Sequence, residues 1–98
     1  MIPSVSIHEV ADIELKEAAR YYESKVDGLG FAFLDEVERV VNLIRENPES
    51  APRIFKVVRR KILRGFPYSV MYSIVDDSIR ILAIANQKRR PFYWRDRQ

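Results

Sequence analysis

Between residues 53 and 64 the sequence RIFKVVRRKILR carries six cations: Arg53, Lys56, Arg59, Arg60, Lys61 and Arg64. A second group, Lys88, Arg89 and Arg90, precedes the consecutive aromatics Phe92, Tyr93 and Trp94, and Arg95 and Arg97 follow. Cations at this density attract phosphates or carboxylates, and arginine can hold either through two parallel hydrogen bonds. Aromatic rings among them supply faces for stacking bases or apolar bodies that anchor a tail to a core. Three successive aromatics on a helix point in three directions, so at least one meets the core. Packing is the expected role of Phe92 and Trp94.

The charge is divided along the chain. Residues 1–50 hold five Lys/Arg and eleven Asp/Glu, whereas residues 51–98 hold twelve and three, within a net charge of +3. A C-terminal half with this excess favours a polyanionic or acidic partner. Two other readings stand beside that one. Cations on both faces of a strand can protect a sheet edge from aggregation, and the two halves can pack with their charges opposed.

Several chemistries lack their residues. With no cysteine and one histidine there is no nitrogen–sulfur zinc site, thiol nucleophile or disulfide, and a reducing cytoplasm is the expected location. His8, alone where a strand meets a helix, reads as structural. Neither GxxxxGK[ST] nor GxGxxG occurs, so no nucleotide cradle and no cofactor is implied. Asp76-Asp77 reads as a hairpin turn rather than a catalytic carboxylate pair. No apolar run approaches the ~20 residues needed to span a bilayer, and the N-terminus has no signal-peptide pattern.

The length of 98 residues predicts one domain spanning 1–98. Val5 and Ile7 alternate within a first strand over Ile2–Ile7. Ala11, Leu15, Ala18, Tyr22 and Val26 recur at helical spacing from Glu9, and Asp27-Gly28 ends that helix. A second helix runs from about Gly30 to Glu46 with Leu34, Val37, Val41 and Ile44 as its stripe, broadened by Phe33 and Val40. Pro48 stops it. The cationic segment reads as a second strand. FPYSVMYSIV and IRILAIAN, apolar on both faces, read as central strands joined through Asp76-Asp77-Ser78. The expected class is α+β: a small antiparallel sheet on an N-terminal helical hairpin, in the order β-α-α-β-β-β, closed by a short helix or tail.

Four stretches, ARYYE, IRENPES, RGFPYSVMYSI and IRILAIANQKRRPFYWRDR, together resemble the ParE/RelE superfamily of type II toxin–antitoxin toxins. The most specific are the Phe-Pro-Tyr before an apolar strand and the closing pattern A-x-x-N-x-x-R-x-P-x-Y-W. The resemblance covers nearly the whole chain and implies the fold derived above. It also implies one of two activities. ParE-like members poison DNA gyrase without a catalytic site, whereas RelE-like members cleave messenger RNA on the ribosome.

Ribonuclease members resembling this chain place two basic residues two apart on the second strand, matching Arg60 and Ile62, and an arginine after the central-strand tyrosine, here Ser69. Their C-terminal basic residue falls on Lys88 or Arg89 and their tyrosine on Tyr93. With Ile62 and Ser69 two cations are missing, which favours the gyrase branch. The expected surface for target and cognate antitoxin is Arg59, Arg60, Lys61, Arg64, Arg89, Arg90, Tyr93 and Trp94. A ribonuclease would use Arg60, Arg64, Lys88, Arg89 and Tyr93, with the ribosome and messenger RNA as partners. A third expectation is a member of the fold that has lost its activity and remains a binding partner.

Overall fold

The computed structural model describes residues 3–97. His8 opens α1 (Glu9–Lys25): its Nδ1 accepts the Val10 N–H at 3.1 Å, and Glu9 and Asp12 place carboxylates in the first turn. These groups serve the N-terminal donors that no helical carbonyl reaches. α1 ends before the expected Asp27-Gly28: Val26 is already extended, and Gly28, whose φ of 86° suits a residue without Cβ, opens the next helix. α2 (Leu29–Glu46) has no side-chain cap of its own. Instead the Glu23 carboxylate of α1 accepts the N–H groups of Gly28 and Gly30, each at 2.9 Å. Gly30 lets the helices meet: a Cβ there would lie 2.6 Å from the Ala19 carbonyl oxygen.

The hairpin covers one face of a five-stranded sheet in the order β1-β5-β4-β3-β2. The strands are β1 (Val5–Ile7), β2 (Arg53–Phe55), β3 (Val58–Ile62), β4 (Tyr68–Val75) and β5 (Ser78–Asn86). The α+β class and the hairpin-then-sheet order are as the sequence implied. The sheet is mixed, however, because β1 pairs with β5 in parallel while the other pairs are antiparallel. The intervening helices supply the long crossover that a parallel neighbour needs. β1 is shorter than the expected Ile2–Ile7, since Pro3 and Ser4 precede the strand; Ile2 lies outside the described residues.

The second strand proves to be two. At Lys56–Val57 the chain reverses, with Phe55 opposite Val58 and Lys56 at φ 51°. The fold-back brings Ile54, Phe55 and Val58 into one apolar cluster with Trp94, a gain that local β-propensity does not encode. Asp76 and Asp77 form the β4–β5 turn with φ of 48° and 63°, the left-handed pair a tight hairpin needs.

The sheet has a core on each face. Towards the helices, Phe33, Val37, Val40 and Ile44 pack on Val70, Tyr72, Ile79, Ile81 and Ile84. On α2, Leu34 falls to the solvent edge of its expected stripe and Val40 to the centre. Phe66 and Tyr68 of the Phe-Pro-Tyr motif close this core: their rings stack edge-on against Phe33, at 5.2 Å each. On the outward face Val58, Met71, Leu82, Ala83 and Ala85 pack under Trp94. Adjacent residues Leu82 and Ala83 share that face because the pairing with β4 slips between Met71 and Tyr72. Such a bulge breaks the two-residue alternation.

Two predictions follow from the hairpin. Gly30→Ala forces the helices apart and is expected to cost about 2 kcal/mol, the usual scale of overpacking. In a thermal melt that lowers Tm by roughly 10 °C for a chain of this size. Glu36 of α2 accepts from Arg39 Nε and Nη2 at 2.7 and 2.8 Å, and from the backbone N–H of Arg64. The Arg39 hydrogen bonds, then the Arg64 N–H, hold its carboxyl below the usual range against the opposing effect of burial. A folded pKa below the unfolded value gives stability that is present above the unfolded value, ~4.3, and is lost as pH falls through the folded one. The Tm advantage of the wild type over Glu36→Gln is therefore expected to be full at pH 6 and to vanish in strong acid.

Candidate binding cleft on the outward face of the sheet

After β5 the chain turns at Asn86, whose Oδ1 accepts the Lys88 N–H at 2.8 Å, and folds back over the outward face through residues 91–96. Trp94, 2% exposed, anchors the segment against Phe55 and Phe92, with ring centroids 6.0 and 5.9 Å away. Phe92 holds a left-handed φ of 60°, unusual for a bulky residue, and keeps its ring 5.4 Å from that of Phe55. Both aromatics thus pack as expected, and Trp94 supports the surface from beneath.

The end of this segment is held by one carboxylate. Glu14 Oε2 accepts the Tyr93 hydroxyl at 2.7 Å, and Arg97 donates from Nη1 to Oε1 at 2.8 Å and from Nη2 to Oε2 at 3.1 Å. Glu14 Oε1 also accepts the Ile84 N–H, and Arg97 Nη1 donates to the Leu82 carbonyl, each at 3.1 Å. These backbone groups belong to β5 beyond the last rung of β1, where His8 N–H donates to the Ile81 carbonyl. The Glu14–Arg97 pair therefore completes an otherwise open strand edge. Burial, then the hydrogen bond to Glu14, pushes the Tyr93 hydroxyl well above its ordinary pKa, with Arg97 and Arg89 opposing. It stays a protonated donor at neutral pH.

Between β4, β5 and the folded-back segment lies a cleft of about 240 Å³. It exists because the strands below carry short side chains: Ser69 and Ala85 face each other across the ladder, beside the Met71–Ala83 pair. Arg60, opposite Met71 in the register, forms one wall, and Arg89 and Arg90 form another. The Arg89 guanidinium lies 4.0 Å over the Tyr93 ring. Its lining contains three arginines and no Asp, Glu or His.

The sequence candidates divide accordingly. Arg60, Arg89, Arg90, Tyr93 and Trp94 meet at this cleft. Arg59 points to the other side of β3, where its Nη1 donates to the Glu49 and Ala51 carbonyls at 2.8 and 2.6 Å and ties down the loop before β2. Lys61 lies beside Ser50 and Pro52 at the sheet margin. Arg64 is exposed beyond β3 and gives its backbone N–H to Glu36. Lys88 lines a neighbouring recess with Glu14, Glu17 and Tyr21. Ile62 and Ser69 are cross-strand partners. Glu14 and Arg97 did not emerge from sequence reasoning. The available signal was a carboxylate spaced three residues from Ala11 and four from Ala18, both buried. Nothing local marks its partner, 83 positions away.

The profile for the ParE toxin of type II toxin–antitoxin system, parDE, matches residues 5–91. The chain belongs to the ParE toxin family. Toxin ParE2 of Mycobacterium tuberculosis, in two strains, is 30% identical over 95 residues, covering 93% of this chain and 88% of the relative. A solved structure described as the chromosomal ParDE toxin–antitoxin system from P. aeruginosa superposes with a TM-score of 0.74. That likeness covers 87% of this ParE-family chain and 96% of the other, and at 18% identity it concerns the fold alone.

In this ParE-family chain the clasp makes a measurable prediction. Glu14→Ala leaves Arg97 and the β5 edge without their acceptor and is expected to cost about 3 kcal/mol, the lower end for breaking a mostly buried ion pair. Trp94 is the sole tryptophan, so release of the segment should shift its fluorescence to the red. Tyr93→Phe removes one charge-assisted hydrogen bond, about 2 kcal/mol, and should leave Trp94 in place.

Proposed function

We propose that this chain is the toxin of a two-protein system, that it acts in the cytoplasm by inhibiting DNA gyrase, and that a cognate antitoxin silences it. Membership of the ParE family supports the first part. The observation that carries the choice of target is the cleft itself. A ribonuclease must take a proton from a 2′-hydroxyl, stabilise the phosphorane and return a proton to the leaving oxygen. The cleft offers arginines as acceptors of negative charge but no side chain that titrates near neutrality. The Tyr93 hydroxyl keeps its proton and is already engaged in donating a hydrogen bond to Glu14. The cross-strand neighbours Ile62 and Ser69 occupy the positions where resembling ribonucleases carry cations.

A partner that covers the outward face would also explain its composition. Below the folded-back segment a second recess of about 500 Å³ has Val57, Val58, Val75 and Leu82 for its floor, with Lys56 and Arg95 at its rim. Val57 and Val75 are more than half exposed. An antitoxin segment with apolar residues on one side and carboxylates on the other fits such a recess.

Purified protein added to gyrase and relaxed plasmid is expected to block supercoiling and accumulate cleaved DNA. Pulse labelling after induction should show DNA synthesis falling before translation. Early loss of translation with cut messages would transfer the assignment to the ribonuclease reading, and unperturbed growth would favour a binding member without activity.

A further inference from the structure

We infer that the Arg60–Arg89–Arg90 cleft binds the phosphodiester backbone of single-stranded nucleic acid, with one base lying against Phe92. This is a binding site and carries out no cleavage. It rests on the cleft alone and is independent of the gyrase reading.

Three features point to this ligand. The first is charge. Among the described residues the side chains of Arg60 and Arg90 form no hydrogen bond or ion pair, although the chain holds fourteen Asp/Glu. The described ion pairs, Asp12–Lys16, Glu36–Arg39 and Glu14–Arg97, all join a carboxylate of the helical hairpin. Like charges gathered without a counterion repel one another, and an anionic ligand relieves that cost. The second is shape. A volume of about 240 Å³ is too small for a protein segment with several side chains. It suits one nucleotide unit, since sites for larger ligands begin near 300 Å³. Phe92 lines it and is 39% exposed, and guanidinium beside aromatic surface is the usual combination for a stacked base and its phosphate.

The third feature separates nucleic acid from an acidic peptide. An extended peptide draws much of its affinity from main-chain hydrogen bonds at a strand edge. The floor of this cleft is β4 and β5 where they pair with each other, and β4 is also paired with β3 on its other side. The floor of the cleft has no open edge for a peptide to join, so recognition falls to side chains alone. A chain of phosphates can be held in that way.

Binding of fluorescein-labelled oligothymidylate ten nucleotides long, followed by anisotropy from 50 to 300 mM salt, tests the inference on the full-length protein. With the phosphate of the nucleotide in the cleft and those of its two neighbours each meeting one arginine, the slope of log K against log salt is expected near −2, at about −0.7 per phosphate on single strands. Arg60→Ala/Arg90→Ala should weaken binding at least tenfold at low salt and reduce the slope to about −0.7. Both residues are exposed, so Trp94 fluorescence should be unchanged. Phe92→Leu should weaken binding about tenfold without altering the slope, as loss of stacking requires. The charge-matched Lys56→Ala/Arg95→Ala, on the same face but outside the cleft, should lose less than threefold.

An RNA decamer of oligouridylate is expected to bind within threefold of the DNA and to remain intact. Equal losses in the two double variants would overturn the inference by showing a diffuse basic face. So would equal competition from decaglutamate, which would give the cleft to an acidic protein partner. Binding of the RNA alone, or its cleavage, would overturn it in favour of a ribonuclease site.

Discussion

Glu14 takes hydrogen bonds from three groups at once: the Tyr93 hydroxyl and the Arg97 guanidinium of the C-terminal segment, and the backbone of β5 at Ile84. A carboxylate placed mostly out of water is tolerable only when its lone pairs are filled and a cation lies beside it. Arg97 supplies the cation and also reaches the Leu82 carbonyl. The position of residues 91–97 over the sheet depends on this junction together with buried Trp94. The segment in turn forms the roof of both recesses on the outward face.

The two sides of the sheet follow different physical rules. On the helical side large aliphatic and aromatic residues interlock, with the rings of Tyr22 and Phe33 in contact with each other and with those of Phe66 and Tyr68. The outward side has shorter residues, Ser69, Ala83 and Ala85, and a thinner cover. Short side chains leave room for a cleft, and the cover arrives from the C-terminal end of the chain with its arginines. The bulge at Leu82 and Ala83 joins these two regimes, since it rotates β5 so that Ile81 and Ile84 face the helices while both residues between them face outward.

Charge segregation has a consequence for function that does not depend on any single residue. The helical hairpin carries most of the acids and pairs two of its own cations, Lys16 and Arg39, whereas the cleft on the outward face is lined by Arg60, Arg89 and Arg90 and by no carboxylate. Opposite charges on opposite faces favour association through one face in one orientation.

Local signals determined much of this protein. The amphipathic stripe of α1 from Ala11 to Tyr22, the Gly28 turn between the helices, Pro48 after α2 and the Asp76-Asp77 turn are effects between residues a few positions apart, and each was legible in the order of amino acids. Val26, expected in the stripe, instead lies past the helix end and is exposed. The family resemblance was legible too, because Phe66-Pro67-Tyr68 and the C-terminal run retain their residue types. What depended on distant parts of the chain was not legible. Local β-propensity does not reveal that residues 53–62 fold back at Lys56, since the reward is burial beneath Trp94. The sequence placed nine cations in two groups, but only the register with β4 and the return of the tail selected Arg60, Arg89 and Arg90 and turned Arg59 inward. Glu14 and Arg97 meet across 83 positions, and such a contact has no sequence signature. Its energy exists only once the sheet, the helix and the tail have excluded water from the same place.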